Sequence, residues 1–474
     1  MSLSLSNSRT TLAALGFVLA LSPATRAQSA DTAAAEDRPT LESLEEKLGI
    51  LERKLELAEE EAQKKKEEGS TATGNRDGFT LKSNDGDFQL RWRGYVQADA
   101  RYFPDDENNR WANTFLVRRV SPIWEATAWK YYGFRIMADF AGSQFSLADA
   151  HVDVNLHPAA KFRIGKFKAP IGLERLQSAT DNFLVELSYA AALTPNREVG
   201  AQLHGDWNEE TVSYAVGVFN GSPDGGIRET DSTDHKEYIG RVFAQPFKTG
   251  SSEWLRNFGI GFAASWGVKK GDSTSSNLAT IRSPAKRNIF GYSVSRTSDA
   301  GTVHAFGSHV RLNPEAWWSI GSFGLFGEYI SSSQELRRGR AGAVEELTQQ
   351  AWQVTASYFL TGEQPGFRAP RPRHGLVPAE PGKGGFAGLG AFELVGRVAQ
   401  FKADEDAFPT YANPSSQVEE ALSFGAGLNW HLSRSVRWYN NYEYTRFQGG
   451  AGTPTAVEDR DDEHVLFTRF QFSL

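Results

Sequence analysis

Residues 88–103 read FQLRWRGYVQADARYF, and apolar and polar positions alternate along this whole stretch. A period of two is the pattern of a β-strand with one apolar and one polar face. Strands of soluble proteins usually have about five or six residues, whereas a strand that crosses a membrane needs about ten. The stretch therefore predicts a transmembrane β-strand. Its apolar face carries Phe88, Leu90, Trp92, Gly94, Val96, Ala98, Ala100 and Tyr102, and its polar face carries Gln89, Arg91, Arg93, Tyr95, Gln97, Asp99 and Arg101.

The same alternation recurs in about sixteen segments from residue 88 onward, and residues 466–474 form the last of them. An even number of long alternating strands predicts an all-β fold, a 16-stranded antiparallel transmembrane β-barrel over residues 79–474. Aromatic residues near the segment ends fit the interfacial girdles of such barrels. Residues 364–385 are the longest polar and Gly/Pro-rich stretch, and we expect them to form a loop on the cell exterior.

Composition limits the class of protein. The chain has 474 residues, no cysteine, and a formal net charge of −7. The lack of cysteine excludes disulfides and thiolate metal sites, and the negative charge argues against a nucleic-acid partner. After the N-terminal region no stretch of about 18 apolar residues occurs, so the sequence predicts no membrane helix. A membrane location therefore requires a closed barrel, because only helices and barrels satisfy their backbone polar groups there.

The first 78 residues follow other patterns. A basic residue, an apolar run and small residues before position 27 predict a secretory signal at 1–27, followed by a linker at 28–38. Residues 39–68 predict an α-helical coiled coil that oligomerises, with a solvated single helix as the alternative. Residues 69–78 are expected to be a flexible hinge. The alternating aromatic last segment, 466–474, predicts a bacterial outer-membrane protein, and the N-terminal part is expected to lie in the periplasm. The heptad stripe consists of Leu41, Leu44, Leu48, Leu51, Leu55, Ala58 and Ala62.

Seven short motifs follow one another along the predicted barrel. They are GYVQAD at 94–99, Arg118-Arg119, GKF at 165–167, PIGLER at 170–175, YFLTGE at 358–363, AFELVGR at 391–397 and GLNW at 427–430. Each motif alone is common, but their order and spacing together resemble the phosphate-selective porin O/P family. The resemblance implies a trimeric barrel with a basic lumen, in which a loop at about 169–196 folds into the pore.

The resemblance also implies functional residues. Family members move small anions, phosphate above all, along arginines and lysines. Carried over by position, Arg118, Arg119 and Arg175 are anion contacts, and Ser178 is a hydrogen-bond donor beside them. Two positions depart from the family pattern: Tyr95 stands where an arginine is typical, and Leu187 stands where family members tend to have an arginine after the glutamate that corresponds to Glu186.

The alternation itself points further basic residues into the lumen. Guanidinium groups replace part of an anion's hydration with charge-assisted hydrogen bonds. These arginines could instead pair with lumen aspartates, which would leave a weakly selective general porin. The lumen-lining residues predicted in this way are Arg91, Arg93, Arg101, Arg135 and Arg163, with Lys166, Lys168 and Arg175 at the start of the inward loop.

Other functions have less support in the sequence. Asp149, His151 and Asp153 share one strand face, which we interpret as polar lumen wall and not as a metal site. No nucleophile–base pair or phosphate-binding loop predicts an enzyme, so a lipid hydrolase built on a barrel is the weakest hypothesis. No cofactor is expected. A tether, in which the coiled coil contacts the cell wall, remains an alternative main role. The expected partners are small anions, outer-membrane lipid and two further copies of the chain.

Overall fold

A computed structural model describes residues 40–75, 78–104, 111–142, 145–228, 234–295, 298–377 and 385–474. The predicted signal at 1–27 and the predicted linker at 28–38 lie outside these residues. The chain divides into two compact units, Met1–Lys64 and Lys65–Leu474. Within the described part, no helix is long and apolar enough to cross a membrane.

One long helix, α1 (Leu41–Glu68), occupies the segment in which the heptad stripe was found. The predicted helix is therefore confirmed. Its stripe leucines are exposed in the single chain, from 48% at Leu44 to 79% at Leu41. Apolar side chains at a and d positions are normally buried against a partner helix. Association of α1 into a coiled coil remains a prediction.

The rest of the described chain consists mainly of β-strands. Two short helices, α2 (Leu173–Leu176) and α3 (Tyr189–Ala192), and two 3₁₀ turns, Asp299–Gly301 and Glu405–Ala407, interrupt them. The strands found in the described residues are β1 (Ser70–Asn75), β2 (Gly78–Ser83), β3 (Phe88–Tyr102), β4 (Thr114–Ala128), β5 (Tyr132–Asp139), β6 (Ser146–His157), β7 (Ala160–Phe167), β8 (Arg197–Trp207), β9 (Val212–Phe219), β10 (Ile227–Arg228), β11 (Glu237–Ala244), β12 (Gly259–Lys270), β13 (Thr280–Arg282), β14 (Asn288–Gly291), β15 (Val303–Ile320), β16 (Phe323–Arg338), β17 (Val344–Phe359), β18 (Ala391–Lys402), β19 (Val418–His431), β20 (Val436–Thr453), β21 (Ala456–Asp459) and β22 (Glu463–Ser473).

Sixteen of these described strands form a closed antiparallel barrel. β22 pairs with β3, from Leu466 opposite Tyr102 to Ser473 opposite Tyr95, and this pairing closes the ring. The predicted 16-stranded barrel is thus confirmed. Closure leaves no free strand edge within the ring, as a bilayer requires. The order around the barrel is β3, β4, β5, β6, β7, β8, β9, β11, β12, β15, β16, β17, β18, β19, β20 and β22.

The alternation of β3 separates an outward face from an inward face. Trp92 and Val96 are 51% and 44% exposed, whereas Tyr95 and Gln97 are 7% and 0% exposed. The apolar set therefore faces outward and the polar set faces the lumen. This arrangement is the reverse of a soluble barrel, because the solvent of the outer surface is lipid.

The segment predicted as a flexible hinge, 69–78, contains strand β1 and the start of β2. These two strands form an antiparallel hairpin, and β2 pairs with the first residues of β3, where Phe79 lies opposite Trp92. The prediction of a hinge was therefore wrong for residues 70–75 and 78. The Gly/Ser/Thr-rich composition suggested flexibility, but backbone pairing with the protruding start of β3 orders the segment.

The two ends of the barrel carry different connections. Short turns at 129–131, 158–159 and 321–322 share one end with the C-terminus of β22, and we call it the turn end. The opposite end, the loop end, carries the long connections 168–196 and 271–302. The connection 360–390 between β17 and β18 lies at the turn end, although residues 364–385 were predicted to be external. In barrels of this class the short turns face the periplasm.

The lumen is not empty. On the inner wall of β16 to β19, apolar residues from the connections at the loop end form a buried cluster with Tyr189 and Leu193 of the 168–196 segment. Phe290 and Phe401, whose ring centroids lie 5.7 Å apart, belong to this cluster. One side of the barrel interior is therefore packed, and the cavity described next lies against the strands of the other side.

Candidate anion pore

A cavity of about 1090 Å³ lies inside the barrel, mainly against β3 to β9. Eleven arginine or lysine side chains line it, against five aspartate or glutamate side chains, which gives its wall an excess of six positive charges. The whole chain has a net charge of −7, so the basic residues are concentrated at the lumen. The basic residues of the wall are Arg91, Arg93, Arg135, Arg163, Lys168, Arg197, Arg241, Arg368, Arg371, Arg434 and Arg437, and the acidic ones are Glu125, Asp149, Asp153, Asp181 and Asp206.

Each of the five acids forms an ion pair. Arg135 connects two of them, because it contacts both Glu125 and Asp149. Pairing with acids thus accounts for some of the lumen arginines, as the alternative interpretation of the sequence proposed, but the acids are too few to neutralise the wall. The nitrogen–oxygen distances are 2.7 Å for Arg93–Glu125 and Arg135–Glu125, 3.0 Å for Arg135–Asp149, 2.9 Å for Arg197–Asp149, 2.6 Å for Arg163–Asp153, 3.0 Å for Arg437–Asp181 and 2.9 Å for Lys161–Asp206.

A β-bulge in β4 directs two consecutive arginines into the lumen. Gln97 of β3 pairs with Arg119 and Ala98 pairs with Val117, so Arg118 is an extra residue in the ladder. Regular strands point consecutive side chains to opposite faces, and a bulge breaks that alternation. The Arg119 guanidinium consequently donates to Gln97 at 2.8 Å, while Arg118 donates to Glu186 at 3.2 Å.

The 168–196 segment is fixed by inward side chains of several strands. Its two helices, α2 and α3, have only four residues each, so few backbone amides and carbonyls of the segment can pair within a helix. Side chains of the barrel strands form hydrogen bonds with several of these backbone groups. Gln97 donates to the Ala179 carbonyl at 2.9 Å, Glu328 accepts from the Leu173 amide at 2.7 Å, Asn441 accepts from the Val185 amide at 2.7 Å, and Arg469 donates to the Val185 carbonyl at 2.8 Å. The contacts come from β3, β16, β20 and β22.

Four side chains, which we call the basic cluster, lie at the loop-end limit of the cavity: Arg119, Lys168, Arg175 and Arg197. Burial lowers the pKa of Lys168 well below its ordinary value, and the neighbouring Arg197 and Arg175 lower it further. Burial also lowers the pKa of Arg175 to about 10, again with a contribution from Arg197. Burial and repulsion between neighbouring charges therefore make the positive charges of the cluster unfavourable, and an anion placed among them would reduce that repulsion.

Comparison with known proteins decides the family. The family model described as phosphate-selective porin O and P matches residues 88–474, which include all sixteen barrel strands. The chain belongs to the phosphate-selective porin O and P family. As a porin, it is a protein of the bacterial outer membrane.

Several solved structures are similar to this porin. They include the anion-selective porin from Comamonas acidovorans (11% identity, 82% of this chain and 100% of that chain, TM-score 0.49), the outer membrane channel DcaP of Acinetobacter baumannii (10% identity, 83% and 99%, TM-score 0.48) and in-vitro folded OmpT of Vibrio cholerae (12% identity, 82% and 98%, TM-score 0.49). No curated protein sequence matches the chain significantly.

The structure places the residues predicted from the sequence of this porin in four different surroundings. Arg91, Arg93, Arg135, Arg163, Lys168 and Ser178 line the cavity. Arg119 and Arg175 lie beyond its loop-end limit, and Arg175 donates to Thr194 at 3.3 Å and to the Ala191 carbonyl. Arg101 and Arg118 lie at Glu186. The last predicted residue, Lys166, is buried at 4% exposure and is not part of the cavity wall.

Glu186 of the 168–196 segment is an acidic centre that the sequence did not reveal. It accepts from Arg101 at 3.0 Å, Arg118 at 3.2 Å and Lys286 at 2.8 Å, and its side chain is only 3% exposed. Burial alone raises its pKa, but Lys286, Arg118 and other basic neighbours bring the pKa well below its ordinary range. Glu186 thus attaches the segment to the barrel wall and to the 271–302 connection.

The sequence also did not identify Arg197, Arg368 and Arg371 as cavity residues. Arg197 is the first residue of β8, and strict alternation would place it on the outward face with Val199 and Ala201. Its side chain instead turns into the lumen and donates a hydrogen bond to Asp149 of β6. Arg368 and Arg371 belong to the connection that was expected on the exterior. The Phe367 carbonyl of that connection accepts from Gln177 at 3.1 Å, inside the barrel.

No set of histidine, aspartate or glutamate residues in the described ranges has the arrangement of a metal site. His151 is 3.5 Å from Asp153, while both carboxylate oxygens of Asp149 bind arginines. These three residues belong to the ion-paired lumen wall.

Proposed function

We propose that this porin carries small anions, phosphate and polyphosphate among them, by passive diffusion through its basic lumen. The observation that carries the proposal is the excess of six positive charges on the cavity wall of a chain that is acidic overall. Rings of arginine and lysine exclude cations and attract anions in narrow pores. Passage also requires weak binding, and the ion-paired acids of the wall moderate the positive potential.

In this proposal the 168–196 segment narrows the passage and the basic cluster is its anion site. Its support is the set of hydrogen bonds that join the segment to β3, β16, β20 and β22. Guanidinium groups bind phosphate oxygens in a bidentate manner, whereas a lysine ammonium acts as a point charge. The proposed anion contacts along the passage are Arg91, Arg93, Arg135, Arg163, Lys168, Arg197, Arg175, Arg119, Arg118, Arg101 and Ser178.

The proposal extends to assembly and orientation. The exposed leucines of α1 favour a coiled coil that joins three copies, with this N-terminal part in the periplasm. The outward apolar faces of the strands would contact outer-membrane lipid. A structural role, in which α1 contacts the cell wall, is compatible with conduction and concerns the same helix. A weakly selective general porin is the functional alternative within the family.

Block of chloride current by phosphate tests the anion site. The purified trimer is inserted into planar bilayers, and chloride current is recorded while phosphate is titrated. The proposal expects phosphate to reduce the current at concentrations far below those of chloride, and Arg175→Ala to weaken the block. Absence of block in the native channel would reject a phosphate site and favour the general porin.

Removal of residues 40–68 separates the roles of the two units. A channel function confined to the barrel predicts unchanged single-channel conductance after the deletion. A tether as the main role predicts that cells with the deletion shed outer membrane although conductance is retained.

A further inference from the structure

An apolar patch interrupts the polar wall of the lumen. Its members, which we call the apolar band, are Tyr95 on β3, Ile123 on β4 and Met137 on β5. Ile123 and Met137 are directly paired across the two strands, and the three side chains are 7%, 3% and 5% exposed. They pack together with Ala148, and Ala179 of the 168–196 segment lies against them. All three members of the band line the cavity.

The band lies between charged groups. Arg93 and Gln97 flank Tyr95 on the inward face of β3, and Arg135 precedes Met137 by one inward position. Met137 pairs with Asp149, which binds Arg197 of the basic cluster at 2.9 Å. An apolar wall therefore adjoins the basic cluster on one side of the passage.

An inorganic anion gains nothing from such a wall. Phosphate and chloride have no apolar surface to bury, and the interior of a porin is ordinarily polar. An anion with an apolar body, in contrast, would bury that body against the band while its charge stays at the cluster.

We propose that the anion site of this porin accepts small organic carboxylates with an apolar body, which places the carboxylate at the basic cluster and the body against the apolar band. The inference rests on the proposed function, because it assigns a substrate class to the same site. Lys168 and Arg197, which face the cavity, hold the carboxylate. The ring of Tyr95 and the thioether of Met137 contact the body, and both groups pack well against aromatic rings.

A pair of carboxylates that differ only in their body provides the test. Acetate and benzoate carry the same charge at pH 7, and each is titrated against chloride current through the native trimer in planar bilayers. Each buried methylene-sized group strengthens binding about fourfold. Because the band covers one side of the passage, we expect benzoate to block at about tenfold lower concentration than acetate. Equal blocking concentrations would overturn the proposal.

Uncharged substitutions locate the effect. Tyr95→Ser and Met137→Gln replace band members by polar residues of unchanged charge, so the ratio of the two blocking concentrations should fall toward one. Tyr95→Phe keeps the ring and serves as the matched control, with an unchanged ratio. If the ratio of the acetate to the benzoate blocking concentration is unchanged in both polar variants, the band is not part of the site.

The two proposals fail separately. If the native channel is anion-selective but does not distinguish benzoate from acetate, the inference fails and the proposed function stands. If the native channel is cation-selective, the proposed function fails, and the inference fails with it. If the only role of the band is to pack against Ala179, the native channel should be anion-selective but should not distinguish benzoate from acetate.

Discussion

Replacement of Arg197 by glutamine removes one of the four charges of the basic cluster. The Arg197 side chain is 14% exposed and binds Asp149, whose other oxygen is held by Arg135 at 3.0 Å. The variant therefore keeps an ion pair at Asp149 and should retain the barrel fold. The variant also leaves the negative charge of Asp149 less fully compensated, and this charge repels an entering anion.

The size of the effect follows from the lost interaction. A hydrogen bond to a charged partner contributes about 1.5–3 kcal/mol, which corresponds to roughly a tenfold to hundredfold change in an equilibrium constant. We therefore expect the phosphate concentration that halves the chloride current to rise about tenfold or more in Arg197→Gln. The assay is the planar-bilayer titration with phosphate at fixed pH and ionic strength.

A matched variant controls for the loss of one positive charge. Arg368→Gln removes a charge from the wall of the same cavity, and the Arg368 side chain is exposed, whereas Arg197 is only 14% exposed. A charge on the exposed wall is screened over about 8 Å at physiological salt, so the block should change less than about threefold. Equal effects of the two variants would refute the assignment of the anion site to the basic cluster.

Three further outcomes are expected. Glu186→Gln leaves Arg101, Arg118 and Lys286 without their shared carboxylate, and the loss of a buried ion pair costs about 3–5 kcal/mol. The 168–196 segment should then be cleaved faster by protease, and the open-channel current should be noisier. An unchanged rate of cleavage would contradict the anchoring role of Glu186. Because basic neighbours hold the pKa of Glu186 well below 4.5, its stabilisation is complete above that value and is lost only as the pH falls through the lowered pKa, so current noise should be equal at pH 8 and pH 5; a rise in noise within that range would disagree. Leu48→Ser should reduce cross-linking between α1 helices in the full-length protein while Leu57→Ser, which lies off the stripe, should not; equal cross-linking in both would argue against the coiled coil.

The barrel was predictable because one physical rule governs most of its residues. Lipid outside and water inside require opposite polarity on alternate residues, and residues 88–103 obey that rule over their whole length. The sequence therefore predicted the strand β3, its inward arginines and the closure by the last strand. The same rule cannot reveal which inward charges meet, because that depends on strand register across the barrel.

The errors arose where the rule does not apply. Arg197 was not predicted as a lumen residue, because it shares the parity of Val199 and Ala201; the strand begins at Arg197, and its side chain turns inward toward Asp149. The polarity of the 364–385 stretch indicated a loop but not its end of the barrel, which the strand count determines. The bulge at Arg118 likewise depends on pairing with β3, although the resemblance had already pointed to Arg118 and Arg119.

The zero-current potential in a salt gradient tests the central claim most directly. The native protein is placed in a planar bilayer between two potassium chloride solutions of different concentration at pH 7. The excess of positive charge on the cavity wall predicts a potential of the sign set by chloride permeation. A potential of the opposite sign, set by potassium, would contradict the account of an anion-carrying lumen.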